Sequence, residues 1–111
     1  HYSLAEEYLL RGKVSLALGD TGSAQEMLQE AKVVALEKDE PIYLWQILAA
    51  LCEIESMRGN ETEAEKLRGQ AGEIIEYIAE HAGDEEGFRA AFLAQPAVAR
   101  VLAASRVSIR N

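Results

Sequence analysis

One histidine and three glutamates in the middle of the chain come nearest, by type and spacing, to a chemical site. Glu73, Glu76 and Glu80 recur at three- and four-residue steps, so a helix would place them on one face, and His81 follows directly. Such a set could hold a metal ion, or the histidine could accept a phosphoryl group. Helical carboxylate sites, however, use a glutamate three residues before the histidine, and Ile78 stands there. A histidine in a last helical turn is also favoured by the helix dipole alone, so we interpret the cluster as a solvated acidic face.

The remaining nucleophilic side chains have no neighbours that would activate them. No serine, threonine or cysteine stands in the sequence context of a catalytic nucleophile, and no glycine-rich phosphate-binding loop is present. The single cysteine, Cys52, falls at a small packing position of a helix, where we expect a buried spacer, and its being alone fits a reducing cytoplasm. We therefore predict a protein without catalytic residues, metal or cofactor.

The strongest pattern in the chain is an internal repeat with a period of 40 residues. Residues 19–31 read GDTGSAQEMLQEA and residues 59–71 read GNETEAEKLRGQA. The positions that keep their residue or its chemistry are Gly19 and Gly59, Asp20 and Asn60, Ala24 and Ala64, Met27 and Leu67, and Ala31 and Ala71. Each unit thus predicts a helix, a tight turn at the glycine, and a second helix whose alanines allow close packing.

Apolar residues at three- and four-residue steps predict about six helices and no strand. The predicted helices are 3–18, a second helix whose competing N-caps leave its start open over about three residues after the turn at Gly19, 41–58, 61–82, 84–94, and one that opens at Pro96 and frays from Ser105. The chain should therefore be a single all-α domain of antiparallel hairpins, with repeat 1 at about 3–38, repeat 2 at about 41–82 and capping helices at about 84–105. The third helix, apolar on a wide arc, should be central and packed from both sides.

Three local features refine this prediction. Asp20, Thr21 and Ser23 compete as the N-cap of the second helix, and Asn60 with Glu63 has the spacing of a capping box. Gly69 and Gly72 weaken the fourth helix and predict a close helix contact there.

These units resemble the tetratricopeptide repeat. The resemblance rests on Tyr8, Gly12, Ala24, Leu28 and Ala31 in the first unit, and on Leu48, Leu51, Ala64 and Ala71 in the second. The chain departs from the family pattern at Arg11, Ser15, Cys52, Glu55 and Arg68, lacks the closing proline, and has a period longer than the usual ~34 residues. The longer period and the Phe-Leu, Gln-Pro ending are similar to the arrays of bacterial signal-transduction ATPases and of large regulators of the LuxR and maltose-activator type. The resemblance implies a protein-interaction or regulatory scaffold module.

The resemblance also implies a partner-binding groove lined by the first helices of the repeats. The family's groove positions correspond to Glu6, Leu9, Lys13, Gln46, Ala49 and Glu53. A protein or peptide partner would bind there, with Lys13 the expected contact for a partner carboxylate. The same strip can also be read as an ordinary solvated face, or as one covered by another part of a larger protein.

Charge is distributed unevenly along the chain, whose net charge is −8. All 19 acidic residues precede residue 88, whereas Arg89, Arg100, Arg106 and Arg110 follow it. The acidic body should repel nucleic acid and anionic membranes, and the basic tail could attract an acidic surface, including that of another copy. No apolar run approaches the ~18 residues of a membrane span.

Two alternatives to the interaction module stay open at this point. A homodimerisation domain would use the apolar ends that two repeats cannot cover, and a helical phosphotransfer domain would use His81. Because the first residue is His1 and helical pattern starts by Leu4, we expect a piece excised from a larger bacterial protein.

Overall fold

The structure, a computed structural model, describes residues 2–83 and 87–110, the last three without their side chains. Six helices and no strand form within these ranges: α1 Leu4–Ala17, α2 Thr21–Glu37, α3 Pro41–Met57, α4 Glu61–Glu80, α5 Phe88–Ala94 and α6 Pro96–Arg110. The prediction of an all-α helical-repeat fold is confirmed. None of the helices in the described ranges is both long and apolar enough to cross a membrane.

The two glycines of the sequence repeat form the same turn. Gly19 and Gly59 have φ values of 82° and 81°, a region that only glycine enters without steric cost. The next amide, that of Asp20 or Asn60, donates to the carbonyl five residues earlier at 2.9 Å in both turns. A third such turn joins α2 to α3, with Asp39 at φ 53°. The repeat in the amino-acid sequence therefore corresponds to a repeat of backbone conformation at the turns.

The caps of the second helices differ between the two repeats. The Asp20 carboxylate accepts a hydrogen bond from the Ser23 amide at 3.0 Å and caps α2, as one of the predicted alternatives. Asn60 is the N-cap residue of α4, but its side chain makes no capping bond, and its amide nitrogen donates to Glu55 at 3.2 Å. The predicted capping box with Glu63 is thus not formed.

Small side chains let the two helices of each hairpin approach closely. Hairpin 1 comprises α1 and α2, and hairpin 2 comprises α3 and α4. At Gly12 an added methyl group would lie 2.8 Å from the Leu28 side chain, so α2 packs directly on the α1 backbone. At the matching position of hairpin 2, the Cys52 thiol donates to the Ala64 carbonyl at 3.2 Å. The alanines of the repeat, Ala24, Ala31, Ala64 and Ala71, are fully buried.

Helix α3 is the central element, as its wide apolar arc predicts. It packs against α1, α2 and α4. Its buried residues are Leu44, Trp45, Ile47, Leu48, Ala50, Leu51, Cys52 and Ile54. They join the two hairpins into one core.

The chain leaves the repeat pattern after α4. Gly87, at φ 88°, precedes the short α5, and Pro96 opens α6, which packs on α4 as α3 packs on α2. A methyl group at Gly72 would overlap the Ser105 side chain, so the close contact predicted there exists, whereas no neighbour lies within 4 Å at Gly69.

Two sequence expectations about this end of the chain change. Helix α5 starts at Phe88, and the first part of its predicted range, 84–86, lies outside the described residues. Ser105 is 1% exposed and its hydroxyl donates to the Leu102 carbonyl at 2.8 Å, so α6 does not fray there but continues to Arg110.

Candidate partner-binding groove

Helices α1, α3 and α6 border one open groove of about 540 Å³. This volume lies in the range of about 300–1,000 Å³ that is typical of ligand pockets. The lining residues are Lys13, Leu16 and Ala17 from α1, Trp45, Gln46, Ala49, Ala50 and Glu53 from α3, and Ala97, Arg100 and Val101 from α6. The groove therefore crosses both hairpins and the C-terminal helix.

Four of the six residues predicted for a partner groove line this one. Lys13 comes from α1, and Gln46, Ala49 and Glu53 come from successive turns of α3. They meet because α1 and α3 are corresponding helices of two stacked hairpins.

The other two predicted residues lie elsewhere. Leu9 is 2% exposed and belongs to the core between the hairpins, so its side chain is out of reach of a partner. Leu9 lies one turn before Lys13 on the same side of α1, so its burial follows from the packing of the hairpins at that turn and not from the register of the helix. Glu6 is exposed near the start of α1, beside Tyr43 rather than in the groove. Loss of water contact, followed by the negative charge of Glu6, raises the pKa of Tyr43.

The sequence did not predict that α6 forms one side of the groove. Ala97, Arg100 and Val101 were not predicted for the groove, because the family pattern assigns it to the first helix of each hairpin. Here Gly87 and Pro96 end the 40-residue period, and α6 packs on α4 as a third first helix would, with Val98 in contact with the cluster around Trp45 of α3. The basic character of the chain after residue 88 was the signal that pointed to Arg100.

The groove holds two cations that the fold does not neutralise. Lys13 and Arg100 are exposed, and neither forms an ion pair with the described part of the chain. Arg11 and Arg58, by contrast, lie 2.9 Å from Glu7 and 3.9 Å from Glu55. Both groove cations are therefore available to an anionic group, with Glu53 as the one acidic residue in the lining.

The groove also offers apolar contact and hydrogen-bonding groups. Trp45 is 5% exposed and contributes apolar surface; its indole N–H is buried and has no hydrogen-bond partner among the described residues. Gln46 donates from its amide nitrogen to the Ile42 carbonyl at 2.8 Å, which leaves its amide oxygen as an acceptor. Leu16 and Val101 are half-buried and complete an apolar surface around these groups.

Glu73, Glu76, Glu80 and His81 are exposed and are not placed to hold a metal ion. His81 is the C-cap residue of α4, stacks on Tyr77 with ring centroids 4.1 Å apart, and places Nδ1 2.9 Å from the Tyr77 carbonyl. Across the residues that the structure describes, no group of three or more His, Cys, Asp or Glu side chains is placed to hold a metal ion.

Comparisons of the chain with models of protein families, with curated proteins and with solved structures give no significant match.

Proposed function

We propose that this chain is a non-catalytic protein-interaction module of the tetratricopeptide-like type. It serves as a regulatory scaffold segment of a larger, cytoplasmic bacterial protein of signalling or transcription control, and its groove binds a peptide segment of a partner protein. The support is that Lys13, Gln46, Ala49 and Glu53, which the repeat register selects from separate hairpins, line a single open groove together with Arg100.

The composition of the groove indicates what kind of peptide it fits. Lys13 and Arg100 favour a carboxylate, and the apolar surface around Trp45 and Val101 favours an aliphatic or aromatic side chain. Two exposed cations in a chain of net charge −8 also give the groove a local sign opposite to that of the molecule. We therefore expect the bound segment to carry at least one acidic residue next to an apolar one.

Selection from a random peptide library tests this proposal directly. The enriched peptides should contain an acidic residue, and their synthetic forms should bind the purified chain. Trp45 is the only tryptophan, so its fluorescence reports binding at the groove. We expect Lys13→Glu or Arg100→Glu to weaken binding by about tenfold, about 1.4 kcal/mol, because each change turns an attraction into a repulsion.

Lys38→Glu is the matched control, because Lys38 is exposed at the end of α2 and does not line the groove. It applies the same change in charge and should leave the affinity within about twofold. The groove would be excluded as the binding surface if the affinity of the peptides did not change with either groove substitution, or if Lys38→Glu lowered it equally.

Homodimerisation is the second candidate, and one observation favours it. Leu10, Val14 and Leu18 of α1 are 54%, 59% and 79% exposed, which is unusual for large aliphatic side chains in one helix. Light scattering over a dilution series, at low and at moderate salt, decides this point. A monomer at all concentrations would rule the dimer out, whereas a dimer unaffected by salt would place the contact on this apolar surface.

A further inference from the structure

A second open depression, of about 790 Å³, lies where the start of α3 and the end of α4 meet the start of α5. Its ring-bearing lining residues are Tyr43 of α3, Tyr77 of α4, His81 at the C-cap of α4, and Phe88 of α5. Tyr77 and Phe88 are 48% and 42% exposed. The lining of this aromatic depression differs in every residue from that of the partner-binding groove, so it is a separate surface.

Two of the rings are held in place by stacking. The ring centroids of Tyr77 and His81 are 4.1 Å apart, and those of Phe88 and Phe92 are 6.1 Å apart with nearly parallel planes. Tyr77 and Phe88 still expose close to half of their surface, which remains for contact with a ligand. Aromatic surface that is already ordered binds a ligand at a small cost in conformational entropy.

The charge in the aromatic depression is negative. Asp39 and Glu40 line it, and no lysine or arginine is among the lining residues that the structure describes. The Ser3 hydroxyl donates to Oε1 of Glu40 at 3.3 Å, which leaves Oε2 as an acceptor. Loss of water contact, followed by the negative charges of Glu6 and Glu40, raises the pKa of Tyr43, so these charges act at the rings. The depression therefore favours a cation.

We propose that the aromatic depression binds an arginine side chain of a partner protein. A guanidinium group is planar and stacks on aromatic rings, and its N–H groups donate to carboxylates at the same time. A quaternary ammonium group has no N–H to donate to Asp39 or Glu40. A lysine ammonium is compact and strongly hydrated, and it does not stack. Arginine therefore uses the rings and the carboxylates of the lining together.

The remaining lining favours an arginine within a peptide chain over the free amino acid. Ile42 and Ile78 also line the depression, and Ile42 is 41% exposed. Apolar residues on either side of an arginine in a peptide can cover this surface. The free amino acid lacks such neighbours, and it carries a carboxylate that the acidic lining repels.

A second copy of the chain fits the aromatic depression less well. In a face-to-face contact through Arg89, which follows Phe88, each copy would bring two lining carboxylates for one arginine, so net repulsion would remain. Arg106 of α6 is exposed and follows Ser105, which contacts Gly72 of α4. Along α4 the lining residue Tyr77 lies about 7 Å beyond Gly72, at ~1.5 Å per residue. A contact through Arg106 would thus join two different patches and would not close into a two-fold dimer.

An NMR titration of the ¹⁵N-labelled chain tests the proposal. The probe is the blocked tripeptide acetyl-Ala-Arg-Leu-amide, and it should shift amide signals of residues 39–43, 77–82 and 88. The same peptide with citrulline, a neutral isostere of arginine, should bind about tenfold more weakly because it lacks the charge. The lysine peptide and free arginine should each bind about threefold more weakly than the arginine peptide.

Two substitutions separate the carboxylate from the rings. Asp39→Asn removes one charge, and asparagine tolerates the φ of 53° at this position. Tyr77→Leu removes an exposed ring but keeps an apolar side chain. Each should weaken binding of the arginine peptide about threefold or more. Glu26→Gln and Tyr2→Leu are the matched controls, because both residues are exposed outside the depression, and they should leave the affinity within about 1.5-fold.

The inference would be overturned by a citrulline peptide that binds as tightly as the arginine peptide, or by Asp39→Asn and Tyr77→Leu having no more effect than their controls. Free arginine that binds as tightly as the peptide would instead identify a small-molecule site. A dimer in light scattering that dissociates with Asp39→Asn would identify a second copy as the occupant. Lys13→Glu should not alter binding of the arginine peptide, so the result is independent of the function proposed for the groove.

Discussion

At the scale of single residues, close helix contacts depend on which positions carry no side chain. Gly72 of α4 faces Ser105 of α6 with no room for a methyl group, and Gly12 has the same role against Leu28 within hairpin 1. Gly69 stands one turn before Gly72 but has no neighbour within 4 Å. The two glycines of α4 therefore look equivalent in the sequence and differ in the fold.

Alanine at these two positions should have opposite effects. Gly72→Ala forces α6 away from α4 and should destabilise the chain by about 1–3 kcal/mol, the usual cost of overpacking. Gly69→Ala should stabilise it by about 1 kcal/mol, because alanine is the better helix former and meets nothing. Urea denaturation followed by circular dichroism measures both. Equal effects of the two changes would mean that α6 does not pack at Gly72.

The buried thiol of Cys52 should make stability depend on alkaline pH. Burial raises the pKa of Cys52, against the smaller opposing effect of Arg68. The unfolded chain releases the thiol proton near pH 8.5, whereas the folded chain keeps it, so stability falls as the pH rises from about 8 to 10. Urea midpoints should decline more steeply over this range than those of Cys52→Ala. Parallel curves for the two chains would show that the thiol ionises equally in both states.

At the scale of elements, α6 is the helix that completes both the core and the groove. Its buried residues Val98 and Leu102 join Trp45, Ile75 and Phe92 in a second apolar cluster. Its other side places Arg100 and Val101 in the groove. Packing of α6 on α4 should therefore control the shape of the groove.

Substitution of two valines of α6 separates the effect of burial on stability from the effect of helix propensity. Val98 is fully buried and Val107 is 59% exposed. Val98→Ala should cost about 2 kcal/mol through lost burial and the cavity that remains, whereas Val107→Ala should be nearly neutral. Thermal unfolding compares them, and the Trp45 emission should shift to longer wavelength only with Val98→Ala. Similar losses from both would indicate that α6 is held by something other than this cluster.

At the scale of the whole molecule, charge opposes folding. The net charge is −8, and all 19 acidic residues precede residue 88. The surface ion pairs of Arg11 with Glu7 and of Arg58 with Glu55 offset little of this repulsion. The part of the chain before residue 88 therefore carries a large negative charge that its basic residues do not neutralise.

Salt should consequently stabilise the chain. Raising sodium chloride from about 0.02 to 0.2 M shortens the screening length and weakens repulsion among the carboxylates, so the melting temperature should rise by several degrees. Scanning calorimetry at fixed pH measures the shift. A fall in melting temperature would show that attractive pairs, rather than net repulsion, dominate the electrostatics.

The sequence by itself determined the class of fold and the repeat. Glycines that permit a left-handed turn, alanines at helical spacing and Pro41 at a helix start are local signals, so the hairpins at 4–37 and 41–80 could be predicted closely. The period also placed Lys13, Gln46, Ala49 and Glu53 on corresponding helices, because a repeat transfers a position from one unit to the next.

Only the tertiary structure decided where the repeat ends and what its last helix does. The inward position of Leu9, the contact of Gly72 with Ser105 and the entry of Arg100 into the groove each depend on how one helix lies on another. Helical periodicity describes the faces of a single helix, and it does not state which neighbour a face will meet. For that reason, the wall that α6 adds to the groove could not be predicted from the pattern of residues alone.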